Sequence, residues 1–151
     1  MRVLDQRKVA YEVHEYSPGI HSAVDAAQAM GIPVERVYKT LVVMRDPGPR
    51  AKPLLVMVPG DHELDLRGLA RSTGDKKLRM ATQKEAESLT GLLVGGIGAL
   101  ALLNRGFEIW IDPAARAHER IFVNAGQRGI NLELGVEDLV RVTNARWFTR
   151  E

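Results

Sequence analysis

The chain has 151 residues, a net charge of +2, a hydrophobic fraction of 45% and no cysteine. This length predicts one compact domain over residues 1–151, and the composition is that of a globular protein. The lack of cysteine excludes disulfides, thiolate metal sites and a cysteine nucleophile, and it favours a reducing cytoplasm. The N-terminus has no apolar signal region and no apolar run could span a bilayer, so we expect a cytoplasmic protein without membrane contact.

Apolar periodicity and turn residues predict helices interleaved with strands. In chain order, we expect a helix to about residue 8, a strand over 9–16, a helix over 22–30, a strand over 37–44, a turn at 46–49 and a strand over 54–58. We then expect a helix over 65–72, a strand over 78–80, a helix over 82–89, a strand over 107–111, a short helix from 113, strands over 120–123 and 130–134, and a helix over 136–142. Several neighbouring strands look hairpin-paired, which predicts an α+β fold with a mixed sheet and flanking helices.

Four glycines, Gly91, Gly95, Gly96 and Gly98, mark the segment before the 107–111 strand. Glycines let backbone N–H groups approach an anion or a developing oxyanion, although a purely structural loop fits the pattern as well. Residues 96–101 also match the dinucleotide pattern G-x-G-x-x-A. We reject that interpretation, because only twelve residues separate Val94 from the next strand, too few for a phosphate loop and a crossover helix.

A lysine stands on an apolar strand face. Alternation places Lys39 on the same side as Val37, Leu41 and Val43. A charge on such a face is costly without a partner, so Lys39 either protects a strand edge or waits for an anionic ligand.

Other polar groups allow two interpretations each. The basic residues in the stretch 67–84 form either a solvated face or a nucleic-acid surface; they are Arg67, Arg71, Lys76, Lys77, Arg79 and Lys84. Asp112 either caps a helix or faces a site. Residues 124–129 form either a hairpin loop or part of a site. No histidine pair has metalloprotease spacing and there is no G-x-S-x-G elbow, so we expect no catalytic metal.

The blocks at 37–41, 64–66, 76–81, 90–97, 121–129 and 132–134 together resemble the YbaK/EbsC family of free-standing aminoacyl-tRNA deacylases. This family is related to the editing domain inserted in bacterial prolyl-tRNA synthetases. The order and spacing of the blocks carry the resemblance, which covers nearly the whole chain. It implies a mixed, barrel-like β-sheet with flanking helices and a pocket for the aminoacylated 3′-terminal adenosine of a tRNA.

The resemblance also implies roles for individual residues. Lys39 would engage the terminal nucleotide, and Gly95, Gly96 and Ile97 would present backbone groups to the aminoacyl carbonyl as the other catalytic positions. The expected substrate-binding residues are Tyr16, Thr40, Asn124 and Gly126. The expected tRNA-binding residues are Lys76, Lys77 and Arg79. No metal or organic cofactor is implied, and the partners would be the tRNA acceptor end and, as a candidate, prolyl-tRNA synthetase.

Two short segments depart from the family pattern. The family loop usually reads Gly-Gly-Ile-Ser-Pro, but Gly98 and Ala99 replace Ser-Pro here, and the later turn reads Asn124-Ala125-Gly126 where Ser-Gly-Gly is usual. The expected activity is hydrolysis in trans of mischarged tRNA, with cysteinyl- or alanyl-tRNA(Pro) as substrate. A non-catalytic nucleic-acid-binding module and a small-molecule esterase on the same fold are the alternatives.

Overall fold

The structure is a computed structural model that describes residues 1–46 and 52–151. Apart from Asp46, the turn expected at 46–49 lies outside the described residues. The helices are α1 (Arg2–Gln6), α2 (Ala23–Met30), α3 (Leu66–Thr73), α4 (Gln83–Thr90) and α5 (Val136–Thr143), with 3₁₀ turns at Val34–Arg36, Ala99–Leu102 and Pro113–Ala117. The strands are β1 (Tyr11–Glu15), β2 (Val37–Asp46), β3 (Leu54–Pro59), β4 (Lys77–Met80), β5 (Glu108–Ile111), β6 (Arg120–Asn124), β7 (Ile130–Gly135) and β8 (Arg146–Trp147).

Helix ends follow the local capping signals. The Ser22 side chain accepts the Asp25 N–H at 3.1 Å at the start of α2, and Gly31 ends that helix in the left-handed region with φ of 69°. Thr82 and Glu85 form a reciprocal capping box at the start of α4. These helices therefore begin and end where the sequence predicts.

The strands form one mixed sheet in the order β1-β7-β6-β2-β3-β5-β8, with β4 paired to β2. The β2–β3 and β6–β7 pairs are antiparallel, whereas β2–β6, β3–β5 and β5–β8 are parallel. The mixed α+β fold is thus confirmed. The barrel-like description needs correction, because the sheet is not closed: in the described part of the chain no pairing joins its end strands β1 and β8.

The core occupies both faces of the central strands. All six residues of β3 are buried. On one face of β2, Tyr38 and Val42 join the larger apolar cluster. On the other face, Val43 packs with β3 and α3. Helix α2 covers the start of this second face, where Ala27 contacts the cluster of Val37 and Phe122.

One edge of β2 is interrupted. Its first residues pair with β6 at Val37 and Tyr38, and its last residues pair with β4 from Val43 onward. Both partners lie on the edge opposite β3, since β3 pairs with Tyr38 and with Val43 as well. The Ala81 N–H donates to the Val42 carbonyl at 3.0 Å and extends the β4 side. Among the described residues, no strand therefore pairs with residues 39–41 on this edge.

Candidate active site

The interruption in β2 opens into a cavity of about 400 Å³, within the range of small-molecule sites. Six of the eight residues that the sequence assigned to catalysis or substrate binding line it: Tyr16, Lys39, Thr40, Gly95, Ile97 and Asn124. They come from the residue that follows β1, from β2, from the glycine-rich segment 91–98 and from the end of β6. The fold thus brings together segments that are far apart in the sequence.

Thr40 offers main-chain groups to this cavity. The Gly60 N–H donates to the Val37 carbonyl on the β3 side at 2.7 Å, and the Ala81 N–H donates to the Val42 carbonyl on the other side. Hydrogen-bonding direction alternates along a strand, so the N–H and C=O of Thr40 face the unpaired edge. The Thr40 hydroxyl is buried without a hydrogen-bond partner among the described residues.

The side chain of Lys39 lies on the face of β2 opposite to that of the Thr40 side chain, as alternation predicts, and it is half-buried. Its Nζ lies 3.4 Å from the Gly60 carbonyl oxygen, a long contact for a hydrogen bond. Among the side chains that the structure describes, no carboxylate forms an ion pair with it. The neighbouring Gly60 packs against the start of α2, because a Cβ there would lie 2.7 Å from Ala23 Cβ. The ammonium is therefore held beside the cavity without a charged protein partner in that part of the chain.

Hydrogen bonds fix the glycine loop, residues 91–98, on both sides. The Val94 N–H donates to the Glu87 carboxylate at 2.8 Å, and the Val94 carbonyl accepts Arg128 Nε–H at 2.8 Å. The Gly96 N–H donates to the Leu93 carbonyl at 2.7 Å inside the loop.

Gly95 and Ile97 line the cavity, while Gly96 is buried behind them. A Cβ on Gly96 would lie 2.8 Å from the Arg128 backbone nitrogen. Within the described chain, the N–H groups of Gly95 and Ile97 have no hydrogen-bond acceptor. Between Gly98 and β5, all of which the structure describes, the chain forms a single 3₁₀ turn, Ala99–Leu102, and no crossover helix. This agrees with rejecting the dinucleotide-binding interpretation.

The turn at residues 124–129 packs on the glycine loop. Asn124 Nδ2–H donates to the Gly95 carbonyl at 3.0 Å, and Asn124 Oδ1 accepts the Gly126 N–H at 2.7 Å. Gly126 does not line the cavity, since it packs against Ala101 with φ of 97°. Burial raises the pKa of Tyr16, and a hydrogen bond with Asn124 offsets part of that rise. The phenol is therefore neutral across the physiological pH range.

Comparison with protein families finds the aminoacyl-tRNA editing domain over residues 17–142. The chain belongs to the aminoacyl-tRNA editing domain family. EbsC of Enterococcus faecalis, which is named as a Cys-tRNA(Pro)/Cys-tRNA(Cys) deacylase, is 34% identical over 149 residues, or 97% of this chain and 88% of that protein. These matches confirm the YbaK/EbsC resemblance and the aminoacyl-tRNA deacylase class expected from the sequence.

Solved structures and synthetases agree with this assignment. A protein described as a trans-editing enzyme for prolyl-tRNA synthetase superposes with a TM-score of 0.81 and 25% identity, over 99% of this chain and 94% of the other. A proline–tRNA ligase of Acidithiobacillus ferrooxidans is 33% identical over 82 residues, which are 54% of this chain and 14% of the ligase. The editing domain thus matches only a small part of that synthetase.

The basic stretch of this editing domain is partly neutralised. Arg79 binds both carboxylate oxygens of Glu85 at 2.8 Å, and Arg71 pairs with Glu151 at 2.8 Å. Lys76 and Lys77 are exposed. Neither lines the cavity, although the end of β4 and the start of α4 do. The expected tRNA surface therefore adjoins the site, and its two lysines differ from Arg79 in their electrostatic surroundings.

Sequence reasoning assigned several polar residues that line the cavity to no site, and His21 and Asn131 are two of them. His21 precedes the α2 cap, and its Cα would lie 2.9 Å from a Cβ on Gly95. Asn131 is 3% exposed on β7. The alternation of β7 could not have identified Asn131, because it places this residue on the same strand face as Glu133, which is typical of an exposed position.

Asp112 and a cluster of acidic and histidine side chains lie outside the cavity lining. Asp112 caps the 3₁₀ turn through the Ala114 N–H at 2.8 Å and pairs with Arg150 at 2.7 Å, so the capping interpretation is confirmed. Among the described residues, one group of acidic and histidine side chains could hold a metal ion: Glu12, His14 and Glu133. None of the three lines the cavity, and Arg36 and Arg120 already pair with Glu133.

No helix in the described part of the chain is long and apolar enough to cross a bilayer.

Proposed function

We propose that this editing domain hydrolyses the ester of a mischarged tRNA in trans, with cysteinyl- or alanyl-tRNA(Pro) as substrate. The observation that carries the proposal is the convergence at the cavity of an ammonium without a carboxylate partner among the described residues, an unpaired strand edge and a glycine loop. These groups suit the charge, the polar edges and the carbonyl of an aminoacylated 3′-terminal adenosine. The names of EbsC and of the trans-editing structure support the same substrate class.

Positioning supplies most of the proposed catalysis. An aminoacyl ester is already activated, so orientation and polarisation of its carbonyl can accelerate hydrolysis without a protein nucleophile. Lys39 would bind the phosphate region of the terminal nucleotide. The N–H groups of Gly95 and Ile97 would donate to the carbonyl oxygen, while Gly96 would keep the loop in shape through its own bond to Leu93.

The remaining contacts would hold the nucleoside and the amino acid. Thr40 would bind through its main-chain groups, and Tyr16 through its neutral phenol. The turn around Asn124 and Gly126 would close the pocket on the opposite side. Attack by water on the carbonyl carbon, helped by a substrate hydroxyl, would break the ester C–O bond and release the amino acid and the tRNA hydroxyl. The thiol of a cysteinyl substrate could attack instead, which would form a cyclic thioester as the same C–O bond breaks and the tRNA hydroxyl leaves. No metal or cofactor takes part in this scheme.

The body of the tRNA would bind outside the cavity. Lys76, Lys77 and Arg79 lie on the strand and loop that lead to the cavity-lining end of β4. Their positive charge would then lie beside the bound acceptor end. We propose that residues 1–151 act as one editing domain in the cytoplasm, and that prolyl-tRNA synthetase supplies the mischarged product.

The decisive experiment is a deacylation panel. The protein is incubated with cysteinyl-, alanyl- and prolyl-tRNA(Pro), with mischarged tRNAs of other identities, and with simple aminoacyl and carboxylic esters. Rapid hydrolysis of Cys- or Ala-tRNA(Pro), with Pro-tRNA(Pro) spared, supports the proposal. Hydrolysis of simple esters at equal rates favours an esterase, and tRNA binding without hydrolysis of any substrate favours a non-catalytic module.

A further inference from the structure

The side chain of Asn124 is used by the protein itself, although it lines the cavity. Its Oδ1 accepts the N–H groups of Gly126 at 2.7 Å and Gln127 at 3.0 Å. Its Nδ2–H donates to the Gly95 carbonyl at 3.0 Å. Asparagine offers two acceptor sites and two donors, so both acceptor sites are occupied and one donor is directed at the glycine loop. The amide also hydrogen-bonds Tyr16.

A second side chain of the same turn holds the preceding peptide of that loop. Arg128 Nε–H donates to the Val94 carbonyl at 2.8 Å. Two consecutive carbonyls of the loop, those of Val94 and Gly95, are therefore bound from the turn at residues 124–129. Packing brings the two segments together as well, since a Cβ on Gly96 would lie 2.8 Å from the Arg128 backbone nitrogen.

Planarity of the peptide bond gives these two contacts a further consequence. In a trans peptide the C=O of one residue and the N–H of the next point in opposite directions within one rigid plane. Holding the Val94 carbonyl toward Arg128 therefore fixes the direction of the Gly95 N–H. Holding the Gly95 carbonyl toward Asn124 likewise fixes the Gly96 N–H, which donates to Leu93 at 2.7 Å.

The backbone of Gly95 depends on this support. Its φ of 91° lies in the left-handed region, which only glycine adopts without strain, and a Cβ there would lie 2.9 Å from His21 Cα. A glycine between two peptide planes has wide rotational freedom unless both planes are held. Here the two planes that flank Gly95 are those bound by Arg128 and Asn124.

We propose that the turn at residues 124–129 is a latch that aims the Gly95 N–H at the aminoacyl carbonyl, with Asn124 and Arg128 as its positioning residues. This inference rests on the proposed deacylase function. Asn124 and Arg128 act through the loop, and the loop acts on the substrate. A donor aimed in advance costs no reorganisation when negative charge develops on the carbonyl oxygen.

The test replaces the amide donor and keeps the acceptor. In Asn124→Asp, a carboxylate oxygen can still accept from Gly126 and Gln127, but no N–H faces the Gly95 carbonyl. We expect kcat for the preferred mischarged tRNA to fall by roughly ten- to a hundredfold while KM changes by less than about threefold, because a transition-state contact is displaced. The matched control is Gln127→Glu, which makes the same amide-to-acid change on an exposed side chain of the same turn and should leave both constants unchanged.

Amide NMR shifts separate this inference from the proposed function. In the free protein, Asn124→Asp should move the ¹⁵N–¹H signals of Gly95 and Gly96, whereas Gln127→Glu should not. If the wild type deacylates no tRNA, the proposed function fails while the shifts still test the latch. If both signals stay in place, or if kcat is unchanged, the latch is wrong.

A second variant covers the case in which Asn124→Asp does not fold. Arg128→Lys keeps the positive charge but loses the fixed Nε–H that binds the Val94 carbonyl. It should lower kcat and move the Gly95 signal, with the salt dependence of tRNA binding preserved. An Arg128→Lys protein with wild-type kcat and an unmoved Gly95 signal also overturns the proposal.

Discussion

Gly98 and Asn124 lie so close together that a Cβ added to Gly98 would overlap the carbonyl oxygen of Asn124. The two departures from the YbaK/EbsC pattern, one in the glycine loop and one in the later turn, thus meet in space. A serine at 98, as in the family pattern, does not fit against the turn in its present position. The absence of a side chain at 98 is therefore matched to the turn that begins at Asn124.

Gly98→Ser tests this match. The added side chain must displace the Asn124 backbone, and overpacking of this kind costs about 1–3 kcal/mol of unfolding free energy. Urea unfolding measures the loss. Gly19→Ser is the control, because a Cβ at Gly19 meets only Ser17 Oγ at 3.5 Å, an ordinary contact. Equal unfolding free energies for Gly98→Ser and wild type would show that the turn relaxes freely.

Lys39→Ala should keep the fold and lose activity. Removing an ammonium that has no carboxylate partner among the described residues costs little stability, so the variant should melt near the wild-type temperature. Without the ammonium the bound ester is less well positioned, and a displacement of the ester by about 1 Å can lower the deacylation rate on the order of a hundredfold. Lys39→Arg should rescue only in part, since a planar fork differs from a compact ammonium. Single-turnover deacylation measures both effects, and a wild-type rate in Lys39→Ala would remove Lys39 from the site.

The salt dependence of tRNA binding should follow the two lysines more than Arg79. Lys76→Gln with Lys77→Gln should lower the slope of log K against log salt, by about 0.9 for each phosphate that the protein no longer neutralises. Arg79→Gln should have a smaller effect, because Glu85 already binds that guanidinium through two bonds of 2.8 Å. The matched control is Arg2→Gln with Arg7→Gln, two exposed charges outside the basic stretch. An unchanged slope in the lysine double variant would exclude this surface.

Glu85 should make stability depend on pH in acid. Hydrogen bonds from Arg79 and the Thr82 backbone lower the pKa of its carboxyl from the ordinary value of 4.5 to about 2. Its folded-state pKa is depressed, so the stabilisation is fully present above pH 4.5 and is lost as the pH falls through about 2. The difference in melting temperature between wild type and Glu85→Gln should shrink over that window. Glu63→Gln, which removes an exposed carboxylate before α3, is the control, and a difference that stays constant with pH would contradict the assignment.

Deacylation should survive exhaustive chelation. The cavity lining contains His21 but none of the residues Glu12, His14 and Glu133 that could together hold an ion. Rates measured before and after treatment with a chelator should agree. Loss of activity that zinc restores would instead require a metal in the mechanism.

Local signals in the sequence determined where the helices and strands lie. Ser22 and Gly31 bound α2, and Thr82 with Glu85 begins α4, because capping depends on residues three or four positions apart. The alternation of β2 placed Lys39 on its apolar face. The order and spacing of the family blocks supplied the family and six of the residues that line the cavity. The two-residue strand β8 was missed, since a pair of residues carries no periodicity.

Tertiary structure alone decided how these elements meet. The unpaired edge at Thr40 exists because β6 and β4 approach the same side of β2 from distant parts of the chain, with Val37 paired to Phe122 and Val43 to Met80. The burial of Gly96, the match of Gly98 to Asn124 and the open sheet depend on such long-range contacts too. A local pattern records which conformation a segment prefers, but the free energy of pairing depends on a partner that the segment does not contain. Six residues of the site could therefore be predicted from the sequence, whereas the direction of their donors and acceptors could not.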